Sequence, residues 1–290
     1  MRELHYEVPA ENEGKKLSVI LRSCMKLSNR QISHLKFSEG IWLNDQCVHT
    51  GVFVHAGDRV RVMLRDAGPE LVPYDIPLRI VYRDEDVLVV DKPAPLPSIR
   101  SVHQDEKTLE NAVYAYLGCP EGFVYRPVSR LDKGTSGLMP VALNAFVHDR
   151  MQRALHTESY VRAYLAVTEG AMESDEGVID LPIGMQNGVK RCIDPTGKPS
   201  VTHYRVLERA ENGRALVHLR LETGRTHQIR VHMSAMGHPV AGDFMYGWEI
   251  ESLPGRFALH AAFLRFVHPV TGETLTFESP LPQELKNLLK

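Results

Sequence analysis

The chain is short of cysteine, of aromatic residues and of long apolar runs, and each shortage excludes something. Its four cysteines, Cys24, Cys47, Cys119 and Cys192, lie far apart and form no C-x-x-C pair. Neither a zinc ribbon nor a redox dithiol is indicated, and the thiols read as isolated buried groups in a reducing compartment. No stretch approaches the ~18 continuous apolar residues that cross a bilayer, so no membrane association is expected. Met1 to Ala10 alternates charged and apolar residues and lacks the apolar core of a signal peptide, which makes the cytoplasm the expected location. The 14 histidines show no H-E-x-x-H or other metal spacing, so no metal is expected. Net charge is −2, too small to draw the whole chain to a polyanion.

What is present is an ordinary globular composition, with 43% apolar and 24% charged residues over 290 positions. Charge is unevenly spread. Between Gly14 and Arg65 nine basic residues (Lys15, Lys16, Arg22, Lys26, Arg30, Lys36, Arg59, Arg61 and Arg65) stand against three acids, Glu39, Asp45 and Asp58, a local excess of six. Such asymmetry fits phosphate contact, and it also fits a solvated face.

The first 66 residues read as a small module. Leu17 to Met25 can form a short helix. Ser28, with Gln31 three residues on, makes a capping box for a second helix that Gly40 stops. Asn44-Asp45 and Ala56-Gly57-Asp58 mark turns. Val60, Val62 and Leu64 alternate with Arg59, Arg61 and Arg65, a strand with one basic face. Residues 67–78, with Gly68, Pro69, Pro73 and Pro77, read as a linker, and 79–290 as a larger mixed α+β body.

In that body two strands flank Arg83 to Asp86, and Thr108 to Leu117 reads as a helix closed by Gly118. Asn144 caps a helix whose Val147, Met151 and Leu155 share a face. A strand runs through Val161 to Val167, with Arg162 and Tyr164 on one side. Asn212-Gly213 is a hairpin turn, and Thr226 can cap a helix running to Met236. No repeat or low-complexity tract appears.

Three segments are too polar for their settings. In Arg126 to Gly137, Asp132 sits two residues from Arg130 and is followed by Gly134, Thr135, Ser136 and Gly137. A carboxylate held near an arginine stays ionised and can serve as nucleophile or base, although the segment alone also fits a turn with a surface ion pair. Thr223 to Arg230 gathers Arg225, His227 and Arg230 at a helix N-terminus, a natural anion site or simply a well-capped helix. Arg230, one turn in, can reach a buried carboxylate. His227 and His232, five apart, lie on different faces and cannot chelate one metal. Arg162-Ala163-Tyr164 taken alone is strand packing.

Together these segments resemble the RluA family of RNA pseudouridine synthases. Arg130-Leu131-Asp132-Lys133-Gly134-Thr135-Ser136-Gly137 matches the family's Arg-Leu-Asp and Thr-Ser-Gly signature. Arg162 to Ala166, Thr223 to His232, His238 to Asp243, Tyr246-Gly247 and His268 to Glu273 come in the family's order, so that the likeness runs from about Ile80 to Leu289. The N-terminal module resembles the αL RNA-binding module of a ribosomal small-subunit protein. The resemblance implies an α+β fold with a mixed, largely antiparallel catalytic sheet behind a small α+β RNA-binding module. It implies an isomerase that needs no cofactor, with Asp132 catalytic, Tyr164 stacked on the target base and Arg230 paired with Asp132. Arg130, Thr135, Arg162, Arg225 and His227 are expected to meet substrate, and Lys26, Arg30 and Lys36 to serve RNA binding in the module. The expected partner is RNA, ribosomal first and transfer RNA second, and the chain is expected to act as a monomer. Ser129 stands where many members have His, Pro95 where many have Gly, and Arg162 where a lysine is common. The first two departures bear on target choice.

Two other classes fit parts of this reading. A non-catalytic RNA-binding or ribosome-assembly factor would use the basic module on an inactive fold. A glycoside hydrolase would need a second carboxylate ~5–10 Å from the first, and the motif around Asp132 offers only basic neighbours.

Overall fold

The computed structural model describes residues 2–64, 68–101, 107–170 and 172–290. In the module, strand β1 (Arg2–Glu7) precedes helices α1 (Leu17–Ser23) and α2 (Asn29–Phe37) and strands β2 (Ile41–Leu43), β3 (Gln46–Cys47) and β4 (Arg59–Leu64). The strands form a sheet of their own in the order β1-β4-β2-β3. The capping box is present: Gln31 N donates to Ser28 Oγ and Ser28 N donates to Gln31 Oε1. Asn44 and Asp45 both take positive φ, the backbone of a tight hairpin turn between β2 and β3. Leu17, Ile20, Leu21, Leu35 and Val62 close the module's core, which sends the basic side chains of α2 outward. The basic face expected on β4 exposes Arg59; Arg65 lies outside the described residues.

Residues 68–78 contain no helix or strand but lie against the larger body, since Asn111 Nδ2 donates to Val72 O and Gly68 N to Gly122 O. The large sheet comprises β5 (Arg79–Arg83), β6 (Val87–Lys92), β7 (Ser136–Ala142), β8 (Val161–Thr168), β9 (Glu176–Asp180), β12 (Val201–Arg209), β13 (Ala215–Leu221), β14 (Leu259–Val267) and β15 (Thr274–Glu278). Between β9 and β12 a separate hairpin pairs β10 (Ile183–Gln186) with β11 (Lys190–Ile193). The strand order is β5-β6-β7-β14-β8-β13-β12-β9, with β15 also on β14. Every described pairing is antiparallel except β7 with β14, which is parallel over two residues before β15 takes over that edge. The mixed, largely antiparallel sheet implied by the motifs is therefore what the chain forms.

Helices α3 (Leu109–Tyr116), α4 (Ala145–Ala154), α5 (Gln228–Ala235) and α6 (Gln283–Lys286) complete the body. Thr108 and Asn144 cap α3 and α4 through their side chains. Val90, Met139, Tyr164, Leu219, Ile229 and Met233 belong to one apolar cluster. Val89, Leu138, Phe146, Met151 and Phe266 belong to another.

Three expectations need correction. Thr226 does not cap α5: the cap is His227, at φ 59, and it makes no side-chain capping bond. Gln228 does the local work instead, accepting from Thr223 Oγ1 and Arg225 N through Oε1. The cysteines are not buried; Cys47 and Cys119 are exposed and the other two partly so. The presumed loop from Arg126 to Gly137 gives up its last two residues to β7, where Gly137 at φ 111 presses against β14. A Cβ at Gly137 would collide with the backbone of Ala261, so only glycine lets the strands meet there.

Candidate functional site

Asp132 projects from a turn held from behind by backbone bonds. Ser98 Oγ donates to Leu131 O, Leu96 N to Lys133 O and Thr135 N to Asp132 O. Lys92, fully buried, donates from Nζ to the carbonyls of Leu96, Pro93 and Lys133. The turn is thus fixed without touching the carboxylate, whose side chain is 27% exposed and faces a cleft.

Arg230 of α5 anchors that carboxylate. Its Nη1 donates to Asp132 Oδ2 at 3.0 Å. Its other edge makes a fork with Asp243, Nε to Oδ2 at 2.6 Å and Nη2 to Oδ1 at 2.8 Å. The guanidinium lies 4.0 Å from the centroid of the Phe257 ring and 4.9 Å from that of Tyr246. Asp243 is fully buried, and its Oδ1 also accepts from Met245 N and Tyr246 N. A planar donor fork between two acids leaves it one orientation, which a lysine could not reproduce. The partner of Asp132 is therefore Arg230, not the neighbouring Arg130, which is exposed and makes no ion pair among the described residues.

His227 stands beside this pair. Its Nδ1 is 2.8 Å from Tyr246 Oη, and its Nε2 is 3.8 Å from Asp132 Oδ2. Burial holds its imidazole below the ordinary histidine value, against the pull of Asp132, so the ring is neutral at pH 7. The left-handed backbone at His227 costs on the order of 1 kcal/mol, and the surrounding contacts over-determine it.

Tyr164 completes the floor. It sits on β8 between β13 and β14 and is 7% exposed, at the end of a slot of about 60 Å³ that also holds Asp132, Thr135, His227 and Leu221. Burial raises its hydroxyl above the ordinary tyrosine value, so the phenol stays neutral. The slot opens into a cleft of about 620 Å³ lined by Arg130, Arg162 and Arg225, within the ~300–1,000 Å³ usual for small-molecule sites. Arg162 packs against Tyr160, its guanidinium carbon 5.7 Å from that ring's centroid, and Arg225 Nε donates to Pro199 O on the rim. The fold thus gathers Asp132, Tyr164, Arg230, Thr135, Arg130, Arg162, Arg225 and His227 around one opening. Lys26, Arg30 and Lys36 stand elsewhere, exposed on the module.

Sequence reasoning missed Asp243, Tyr246, Gln228 and Lys92. Asp243 and Tyr246 were inside matched motifs, but nothing in their spacing announced a shared arginine. The second carboxylate that a glycosidase would need does exist, yet Asp243 is closed off from the cleft and its acceptors are occupied. Among the described residues no cluster of His, Cys, Asp and Glu could hold a metal ion, and no helix is long and apolar enough to cross a membrane.

Known proteins resemble this chain over the segments that build the site. The RNA pseudouridylate synthase family matches residues 86–235. The chain is 34% identical to the uncharacterized RNA pseudouridine synthase YhcT of Bacillus subtilis, over 100% of this chain and 97% of that one. It is 38% identical to ribosomal large subunit pseudouridine synthase D of Pseudomonas aeruginosa, over 98% and 93% of the two chains. Among solved structures, human RNA pseudouridylate synthase domain containing 1 is similar with a TM-score of 0.58 and 34% identity, covering 72% of this chain and 86% of that one. The fold and these matches define an RNA-modifying isomerase. The chain belongs to the RluA family of RNA pseudouridine synthases, which convert uridine to pseudouridine in RNA.

Proposed function

We propose that this enzyme modifies large-subunit ribosomal RNA in the cytoplasm, and that Asp132 initiates the isomerisation without a cofactor. The observation that carries the mechanism is the placement of Asp132 Oδ2, 3.0 Å from a buried Arg230 and open to the cleft. Arg230 holds the carboxylate aimed at the cleft. Asp132 then either attacks the anomeric carbon or takes the 2′ proton, and the bond from C1′ to N1 of uracil breaks. The base must leave its helix, at a cost of roughly a few kcal/mol; stacking on Tyr164 returns roughly 1–3 kcal/mol. Arg130, Arg162 and Arg225 meet the flanking phosphates, Thr135 and His227 the nucleoside. Lys26, Arg30 and Lys36 of the module grip RNA farther from the target.

The ribosomal assignment rests on the names of relatives such as the Pseudomonas enzyme, with transfer RNA as the second candidate. Pseudouridine maps of both RNAs, from cells with and without this protein, test it. Loss of positions in large-subunit RNA, restored by the wild-type gene and not by Asp132→Asn, is the expected result. Loss confined to transfer RNA would move the target to the second candidate.

A further inference from the structure

The hydrogen bonds around His227 start from a fixed donor. Arg191 N, on β11, donates to Tyr246 Oη at 2.8 Å. The arrangement that gives the phenol's own hydrogen an acceptor is Tyr246 Oη donating to its other partner, His227 Nδ1, also at 2.8 Å. A neutral imidazole that accepts at Nδ1 carries its proton on Nε2. Nε2 is 3.8 Å from Asp132 Oδ2, beyond hydrogen-bond reach, and that oxygen already receives Arg230 Nη1. Among the described residues the Nε2 hydrogen therefore has no acceptor, although the side chain is only 13% exposed. It points into the slot that holds Asp132 and Tyr164, from a residue held in left-handed backbone.

We propose that His227 donates this hydrogen bond to a carbonyl oxygen of the target uracil as the base detaches, and that Tyr246 is the positioning residue that fixes the tautomer. The inference rests on the reading of Asp132 as the initiating group. When N1–C1′ breaks, its electron pair stays with the ring, and the charge spreads over N1, O2 and O4. A half-turn about the N3–C6 axis brings C5 to where N1 was and exchanges O2 with O4. A single fixed donor therefore meets a carbonyl oxygen both before and after the turn. A ring electron pair then forms C5–C1′ as the sugar's bond to Asp132 breaks and frees the carboxylate, or, on the other route, as the proton taken by Asp132 returns to C2′. The C5 proton leaves to solvent and one returns to N1, so the formula is unchanged. His227 neither gains nor loses a proton. A donor aimed at developing charge in a dry slot is worth roughly 10²–10³ in rate.

The test is single-turnover pseudouridine formation at saturating RNA, with RNA affinity and melting temperature measured alongside, for Tyr246→Phe, His227→Ala, His227→Gln and Asp132→Asn. Tyr246→Phe keeps the ring beside Arg230 and loses only the hydroxyl. It should slow the saturated rate about tenfold with affinity unchanged and only a small fall in melting temperature, from the Arg191 N–H that loses its acceptor. His227→Ala should cost roughly 10²–10³ in that rate, and the glutamine amide should recover part of it. Wild-type saturated rates for Tyr246→Phe and His227→Ala, with Asp132→Asn inactive, would overturn the inference and leave the role of Asp132 standing. A His227→Ala defect seen only in affinity would overturn it as well. An active Asp132→Asn would remove the underlying reading and this inference with it. If His227→Ala does not fold, Tyr246→Phe decides.

Discussion

Arg230→Ala strands two carboxylates, and they suffer differently. Asp132, 27% exposed, can take up water in place of Nη1. Asp243 cannot: it is fully buried and would keep only the N–H groups of Met245 and Tyr246. It loses a bonded fork of 2.6 and 2.8 Å and becomes an uncompensated buried charge. Breaking a buried pair from one side costs roughly 3–5 kcal/mol, and the emptied space beside Phe257 adds to it. At roughly 2–4 °C per kcal/mol the melting temperature should fall by about 6–20 °C. The double variant Arg230→Met with Asp243→Asn removes both charges and leaves an oxygen for the two backbone N–H groups. It should regain at least half of that loss, yet stay inactive, because Asp132 has no anchor. Thermal unfolding and product formation on the single and double variants separate the two effects. A single variant that melts within about 2 °C of wild type would refute the buried-anchor argument.

Three further predictions concern other parts of the chain. Replacing Lys26, Arg30 and Lys36 together by alanine should flatten the slope of log K against log salt by roughly 2–3, at ~0.7–0.9 per phosphate contact, with the saturated rate unchanged; an unaltered slope would remove the module from RNA binding. Gly137→Ala should destabilise by at least about 3 kcal/mol, because its Cβ runs into the Ala261 carbonyl, and a normally stable variant would contradict the close strand crossing. Burial, opposed by Asp132, pulls the Lys92 ammonium from 10.5 down to about 7. Between those values the unfolded chain binds more protons, so stability relative to Lys92→Met should rise from about pH 7 to 10.5 and not below; a flat difference in denaturant unfolding would refute it.

Local chemistry was legible in the sequence and tertiary convergence was not. The Ser28 capping box, the Asn144 cap and the Gly213 turn are each decided within a few residues, and they appear as read. Strand β7 was hidden because it is buried on both faces and so lacks a period of two, and because Pro140 within it speaks against a strand. Its carbonyl accepts from Val128 N, outside the pairing with β6. Strand β14 was hidden by a near-continuous apolar run, Leu259 to Val267. At the site, Asp132 and Arg230 were individually visible, but the bond between them spans 98 positions. Asp243 was visible only as the end of a matched motif, His238 to Asp243. The left-handed His227 had no local signal, and Thr226 beside it reads as the cap.

The central claim is that the carboxylate of Asp132 starts the reaction. Asp132→Asn keeps the side chain's shape and an oxygen for Arg230 Nη1, and removes the charge and basicity. The direct measurement is nucleoside analysis of uridine-containing substrate RNA after incubation with folded wild-type and Asp132→Asn enzyme at saturation. Pseudouridine from the wild type and none from the variant, with RNA binding retained, is the predicted result. Pseudouridine formed by the variant at near wild-type rate would contradict the account.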